Sequence, residues 1–182
     1  MKRFLNLFYF VLFILIYSNS FSYAAEVRVK MNKISTDGVG SEIGYIIIKD
    51  SHHGLSVKPN LRELAPGNHA FHIHEKPSCE PGVKDGEKVA GLMAGGHFDP
   101  TNVGHAMKHD HSKKHSGHMK PHGDLPQLVA GVDGTSTASV MTKNLKVSQL
   151  LNRSIMVHKY GENDPGKPRG GGPRFACGII TK

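Results

Sequence analysis

Histidine is the residue of this chain best suited to chemistry, thirteen of them in 182 residues, and most fall in a few clusters. His72 and His74 flank Ile73 in Phe71-His72-Ile73-His74-Glu75. Side chains alternate across a strand, so a strand here puts both imidazoles on one face. That is half of a metal site ready made, although a lone His-x-His pair is equally explained by two structural histidines. His97 follows in Gly95-Gly96-His97-Phe98-Asp99-Pro100, and His158 ends Met156-Val157-His158. Between them lie His105, His109, His111, His115, His118 and His122, with Gly123-Asp124-Leu125-Pro126 behind. Imidazoles with a carboxylate suit zinc or copper, whereas calcium and magnesium want an oxygen-rich set. The tract alone admits two readings, a structured site or a solvated His/Lys segment that binds metal loosely.

Such residues need short, stiff elements to hold them. Val27, Val29 and Met31 alternate with Arg28, Lys30 and Asn32, the mark of a half-buried strand. Tyr45-Ile46-Ile47-Ile48, Leu55 to Val57, Asn68 to His74, Leu128 to Val132, Thr137 to Met141, Ser154 to His158 and Phe175 to Ile180 are further strand candidates, separated by Gly, Pro, Asn and Asp turns. Only Asn144 to Leu151 could make a helical turn or two. The chain therefore reads as all-β, a Greek-key β-barrel or sandwich of about eight antiparallel strands. Glu75 to Pro126 and Lys159 to Arg174 do not fit as strands. Loops beyond ~12–15 residues in a compact domain are usually functional, and these two carry His97, the histidine tract, Asp124 and Arg174 beside the strand histidines.

The chain opens with Lys2 and Arg3, an apolar run from Phe4 to Tyr17, then Ser22 and Ala24 at the cleavage positions. This is the pattern of a secretory signal peptide over residues 1–24, leaving one domain over 25–182. The apolar run is too short for a membrane span of ~20 residues, so no stable membrane insertion is expected. The net charge is +8, and removing Lys2 and Arg3, with no acid, leaves +6. Export argues against a nucleic-acid partner, and no basic run is interleaved with aromatics; a small anionic substrate or the cell envelope suits the charge better. Cys79 and Cys177 are the two cysteines. In an oxidising compartment they are expected to pair, rather than remain two buried thiols.

Taken together, His72-x-His74-Glu75, Gly95-Gly96-His97-Phe98-Asp99-Pro100, Gly123-Asp124-Leu125, Val157-His158 and Arg174-x-Ala176-Cys177-Gly178 closely resemble the exported, periplasmic bacterial copper/zinc superoxide dismutases. The resemblance covers nearly the whole mature chain. It implies copper held by His72, His74, His97 and His158, with His97 bridging to zinc, and Arg174 drawing in the superoxide anion over the copper. It implies zinc on His97, Asp124 and two tract histidines. Superoxide would be converted to dioxygen and hydrogen peroxide as copper cycles between two oxidation states, and His97 would release copper, accept a proton and deliver it. Lys159, Lys167 and Arg169 would help focus the field. His69, on the opposite strand face from His72 and His74, reads as structural. The family includes monomers and homodimers.

Two departures stand out. Relatives carry one zinc histidine eight or nine residues after the bridging one, which His105 satisfies, and another three before the aspartate, where Pro121 stands here. His105 and His122 are the expected zinc ligands, with His115 and His118 as substitutes in a tract much longer than the family's. Relatives also place an aspartate four residues after the last copper histidine, where this chain has Glu162, with Asp164 two further on. A second class of function, a periplasmic copper or zinc sequestering protein on the same fold, follows from the tract.

Overall fold

The computed structural model describes residues 25–101, 121–143 and 145–182. The expected signal peptide, and His105, His109, His111, His115 and His118, lie outside the described residues. The first three strands are a meander: β1 (Glu26–Ser35), β2 (Gly38–Ser51) and β3 (Gly54–Leu61). β1 alternates exposed and buried along Glu26 to Met31, as its sequence predicts. Next come β4 (Gly67–His69) and β5 (Phe71–His74), interrupted at Ala70, then β6 (Gly82–Lys84) and β7 (Glu87–Val89). β8 (Leu128–Ala130), β9 (Val140–Thr142), the short helix α1 (Val147–Leu150), β10 (Arg153–His158) and β11 (Arg174–Ile180) complete the chain.

Seven strands form one antiparallel sheet in the order β5-β10-β11-β1-β2-β3-β9. β8 pairs with β4 beyond β5, and Leu61 of β3 exchanges both backbone hydrogen bonds with Ser136. That exchange draws the two margins of the sheet together, so it curls into a β-barrel. Counting β4 and β5 as one interrupted strand, and setting aside the β6–β7 hairpin, the barrel has the eight strands expected. Its interior is filled by Ile46, Ile48, Leu55, Phe71, Ile73, Leu128, Leu150 and Ile155, all sealed from solvent. Fully burying each such side chain is worth about 1.5–3 kcal/mol.

Two local expectations shift. β8 stops at Ala130 and β9 starts at Val140, because Asp133 folds a turn between them. Its carboxylate accepts the Thr135 N–H at 3.0 Å, which holds its pKa below the usual range, and Gly134 takes a positive φ of 74°. The first long loop also holds structure that its length concealed. Asp85 and Gly86, both at positive φ, turn β6 into β7, as two-residue hairpins with Asp-Gly require. α1 lies within the short helical stretch foreseen.

The disulfide joins Cys79 to Cys177 across a sequence separation of 98. It packs with Ile34, Ala94 and Met156 in a second, smaller apolar cluster outside the barrel. Met156 is paired with His72 in the β5–β10 register, so this cluster clamps the first long loop on the same face of the sheet as the histidines.

Candidate metal centre

β5 alternates as a barrel strand must. Phe71 and Ile73 enter the core, and His72 and His74 share the opposite face. One edge of β5 pairs with β10. Along the other edge, the Phe98 N–H reaches the Ile73 carbonyl at 2.8 Å, the Ile73 N–H reaches Gly123 at 2.8 Å, and the Leu125 N–H reaches Phe71 at 3.1 Å. The two motifs around His97 and Asp124 are thus laid beside His74 and His72 as isolated bridges. His158 arrives from the end of β10, its N–H on the Ala70 carbonyl at 2.9 Å.

The result is a group of four histidines, His72, His74, His97 and His158, each with a ring nitrogen within 4.8 Å of the others'. In three of them the far nitrogen is anchored. His74 Nδ1 lies 3.0 Å from the Gly95 carbonyl, His158 Nδ1 lies 2.8 Å from the Gly172 carbonyl, and His72 Nε2 lies 2.9 Å from a Glu162 carboxylate oxygen. Carbonyls and carboxylates only accept, so these nitrogens carry the protons. The remaining nitrogens, His72 Nδ1, His74 Nε2 and His158 Nε2, are buried without a hydrogen-bond partner. Three buried lone pairs converging on one point is costly unless something binds them. An imidazole-rich set of this kind suits copper or zinc, so the residues fit a metal ion.

Electrostatics agree. Burial lowers the His72 pKa far below the ordinary histidine range, with His97 adding to the effect. Burial, then the Arg174 charge, brings His74 down to about 3. Burial brings His158 down to about 4, against the Gly172 hydrogen bond that favours its charged form. All three are neutral near pH 7, the form that binds metal.

His97 Nδ1 sits 2.7 Å from an Asp124 carboxylate oxygen, bringing together two of the expected zinc ligands. His122 is half-buried, its Nδ1 at 3.3 Å from the Thr101 hydroxyl, and does not join the four-histidine group. His105 lies outside the described residues. Of the two carboxylates in the second long loop, Glu162 meets His72, while Asp164 caps its own turn by accepting the Gly161 N–H at 2.7 Å. His69 is buried between the carbonyls of His158 and Ala65, at 2.7 and 2.8 Å, in the structural position expected.

Arg174 is two-way anchored. Nη1 donates to the Gly91 carbonyl and Nη2 donates to Gly95 at 2.8 Å. Its Nη2 is also 3.4 Å from His74 Nδ1, but that nitrogen already donates to Gly95, so the two are neighbours rather than partners. Lys159 and Lys167 flank the Tyr160 ring at 5.5 and 4.9 Å, and Arg169 is exposed.

Two supporting residues escaped the sequence reading. Arg153 lies over the Phe98 ring at 3.7 Å and donates to the Glu75 carbonyl at 3.0 Å; Glu75 in turn accepts the Gly96 N–H at 3.0 Å. This chain ties the end of β5 to the residues on both sides of His97. Gly171 is the other. It takes φ +77°, and a Cβ there would come within 2.6 Å of the His158 Cβ, so the second loop can close over His158 only with glycine. The Gly170-Gly171-Gly172 run was its visible signal.

Residues 43–180 match the family model described as copper/zinc superoxide dismutase. Superoxide dismutase [Cu-Zn] 1 of Salmonella typhimurium is 47% identical over 160 residues, covering 86% of this chain and 87% of that one. The solved Cu/Zn superoxide dismutase from Brucella abortus superposes with a TM-score of 0.73 at 44% identity, covering 86% of this chain and 99% of that one. The structure described as the monomeric copper, zinc superoxide dismutase from Salmonella enterica follows at 0.70 and 39%, covering 86% and 100%. With a curled β-barrel, a four-histidine pocket and these likenesses over most of its length, the chain belongs to the copper/zinc superoxide dismutase family, which dismutes superoxide with copper and zinc.

Proposed function

We propose that the reaction takes place in the pocket of His72, His74, His97 and His158, which would hold copper, three of them through the partnerless His72 Nδ1, His74 Nε2 and His158 Nε2. His97, Asp124, His105 and His122 would hold zinc in this reading. The supporting observation is the convergence of three buried, partnerless imidazole nitrogens whose other nitrogens are all fixed. Copper, when bound, supplies the one-electron redox step in each direction, and zinc fixes charge and geometry beside it.

The protein's own residues do the rest. Arg174, a cation beside His74, binds and orients the incoming anion; its guanidinium is aimed by the Gly91 and Gly95 carbonyls. Lys159, Lys167 and Arg169 add positive potential along the second loop. His97, with Nδ1 held near Asp124, has Nε2 available to carry one of the two protons that the peroxide product takes up. Glu162 fixes the tautomer and angle of His72. Two superoxide anions and two protons give one dioxygen and one hydrogen peroxide.

Residues 1–24 act as a cleaved signal peptide, and residues 25–182, working in the periplasm, are the enzyme. One chain supplies all four histidines, so each subunit is complete whether it works alone or in a homodimer. The mature chain, loaded with copper and zinc, is expected to compete with cytochrome c for superoxide in proportion to its copper. Full copper occupancy without activity would sink this assignment.

A further inference from the structure

The outer face of β1, β2 and β3 has no part in the metal centre, and it is strongly basic. Arg28 and Lys30 on β1, Lys49 on β2 and Lys58 on β3 are all exposed. The register sets Arg28, Ile47 and Lys58 in one cross-strand row and Lys30, Tyr45 and Asn60 in the next. Lys49 is answered by Glu26 at 3.5 Å. Among the described residues, Arg28, Lys30 and Lys58 have no ion pair with a carboxylate; Arg28 instead lies over the Tyr45 ring at 3.5 Å. Uncompensated like charges on a rigid sheet repel, and a sheet of ordinary stability gains nothing from them unless an anion answers.

A groove opens within this face. It measures about 300 Å³ and is lined by Tyr45, Ile47, Lys58, Pro59, Asn60 and Thr137. The Tyr45 oxygen accepts from Asn60 Nδ2 at 2.7 Å, which leaves the phenol proton free to donate. Lys58 supplies a charged donor on the same groove, and the half-buried Ile47 an apolar floor. Donors for an anionic oxygen above an apolar floor match a phosphate ester that carries hydrocarbon. Strands ~4.8 Å apart, and ~6.8 Å between alternate residues of one strand, spread the free cations along the outer wall of the barrel rather than round one point. Spread cations meet an array of anions better than a single one.

We propose that this face docks the enzyme on an anionic phospholipid surface, with one headgroup phosphate seated in the groove between Lys58 and Tyr45. β2 is four strands along the sheet from β5, so the face turned to the lipid is not the one bearing the histidines, and the mouth beside Arg174 stays open to solution. The binding is peripheral, and it suits the exported location proposed above without depending on the metal assignment.

The test is flotation of the metal-loaded mature chain with vesicles of phosphatidylcholine carrying phosphatidylglycerol, against phosphatidylcholine alone. Binding is expected only to the anionic vesicles, and to weaken with salt. Each neutralised cation near a charged surface costs roughly fivefold, so R28Q/K30Q/K58Q should bind about a hundredfold more weakly, with superoxide dismutation unchanged as the check on folding. K113Q/K114Q/K120Q removes the same charge from the histidine tract and should lose far less. Equal or greater loss in the tract variant, or no binding by the parent chain, overturns the proposal. So does retention on an acidic glycan but not on vesicles. Inorganic phosphate should displace the protein no better than sodium chloride of equal ionic strength; selective displacement marks a pocket for a free anion and overturns the lipid surface.

Discussion

His72, His74 and His158 each commit one ring nitrogen to the protein and turn the other into the pocket, and the choice of partner sets which nitrogen is offered. Gly95 and Gly172 carbonyls hold Nδ1 of His74 and His158, so those rings present Nε2; Glu162 holds Nε2 of His72, so it presents Nδ1. Glu162→Gln keeps the size and removes the charge that favours the N–H donor. The variant should fold normally yet bind metal about 10–100-fold more weakly, as measured by competition with a chelator, and unchanged affinity would show that Glu162 is a bystander. Arg174→Ala removes the cation nearest the pocket. Its kcat/KM should fall at least about tenfold and lose much of its dependence on ionic strength, whereas loss of copper would mean that Arg174 serves the site's structure instead. At this scale the four-histidine group was legible, because strand alternation makes His72 and His74 neighbours whatever else the fold does. The choice between Glu162 and Asp164 was not, since both are short steps from His158 and only the closed loop shows which one reaches a ring. Arg153 was less legible still. Its partner Glu75 is 78 residues away, and nothing local announces the pairing.

At the scale of elements, the barrel strands do little chemistry but hold two long loops against one edge of β5. The smaller cluster of Ile34, Cys79, Ala94, Met156 and Cys177 pins the first loop to the outer wall of the barrel, and its disulfide closes nearly a hundred residues. Cys79→Ser with Cys177→Ser should lower the unfolding free energy by about 2–5 kcal/mol, read from denaturant melts of the metal-loaded protein. A change within the scatter of repeated melts would mean that the cluster holds the loop unaided. The Asp85-Gly86 hairpin lies within a stretch expected to hold no strands. Its turn signal is present in Asp85-Gly86, but three-residue strands are too short for alternation to register. The barrel strands were readable because a buried face every second residue leaves a pattern; the Asp-Gly turn at Asp133 and Gly134 was readable too, and what it concealed is how early β8 stops and how late β9 starts around the side-chain hydrogen bonds of Asp133.

For the whole molecule, the site is assembled from residues spread between His72 and Arg174, so metal occupancy reports on the entire fold. The proposed zinc site is where reading from sequence ran out, since Pro121 stands where the family resemblance leads one to expect a ligand and the long tract offers several histidines of equal chemical fitness. The copper half carries the central claim, and diffraction from copper-loaded crystals of residues 25–182 tests it most directly. Anomalous difference maps collected above and below the copper edge should show one strong copper peak per chain, within bonding distance of His72 Nδ1, His74 Nε2 and His158 Nε2. Copper found in the histidine tract, with the four-histidine pocket empty, would contradict the account.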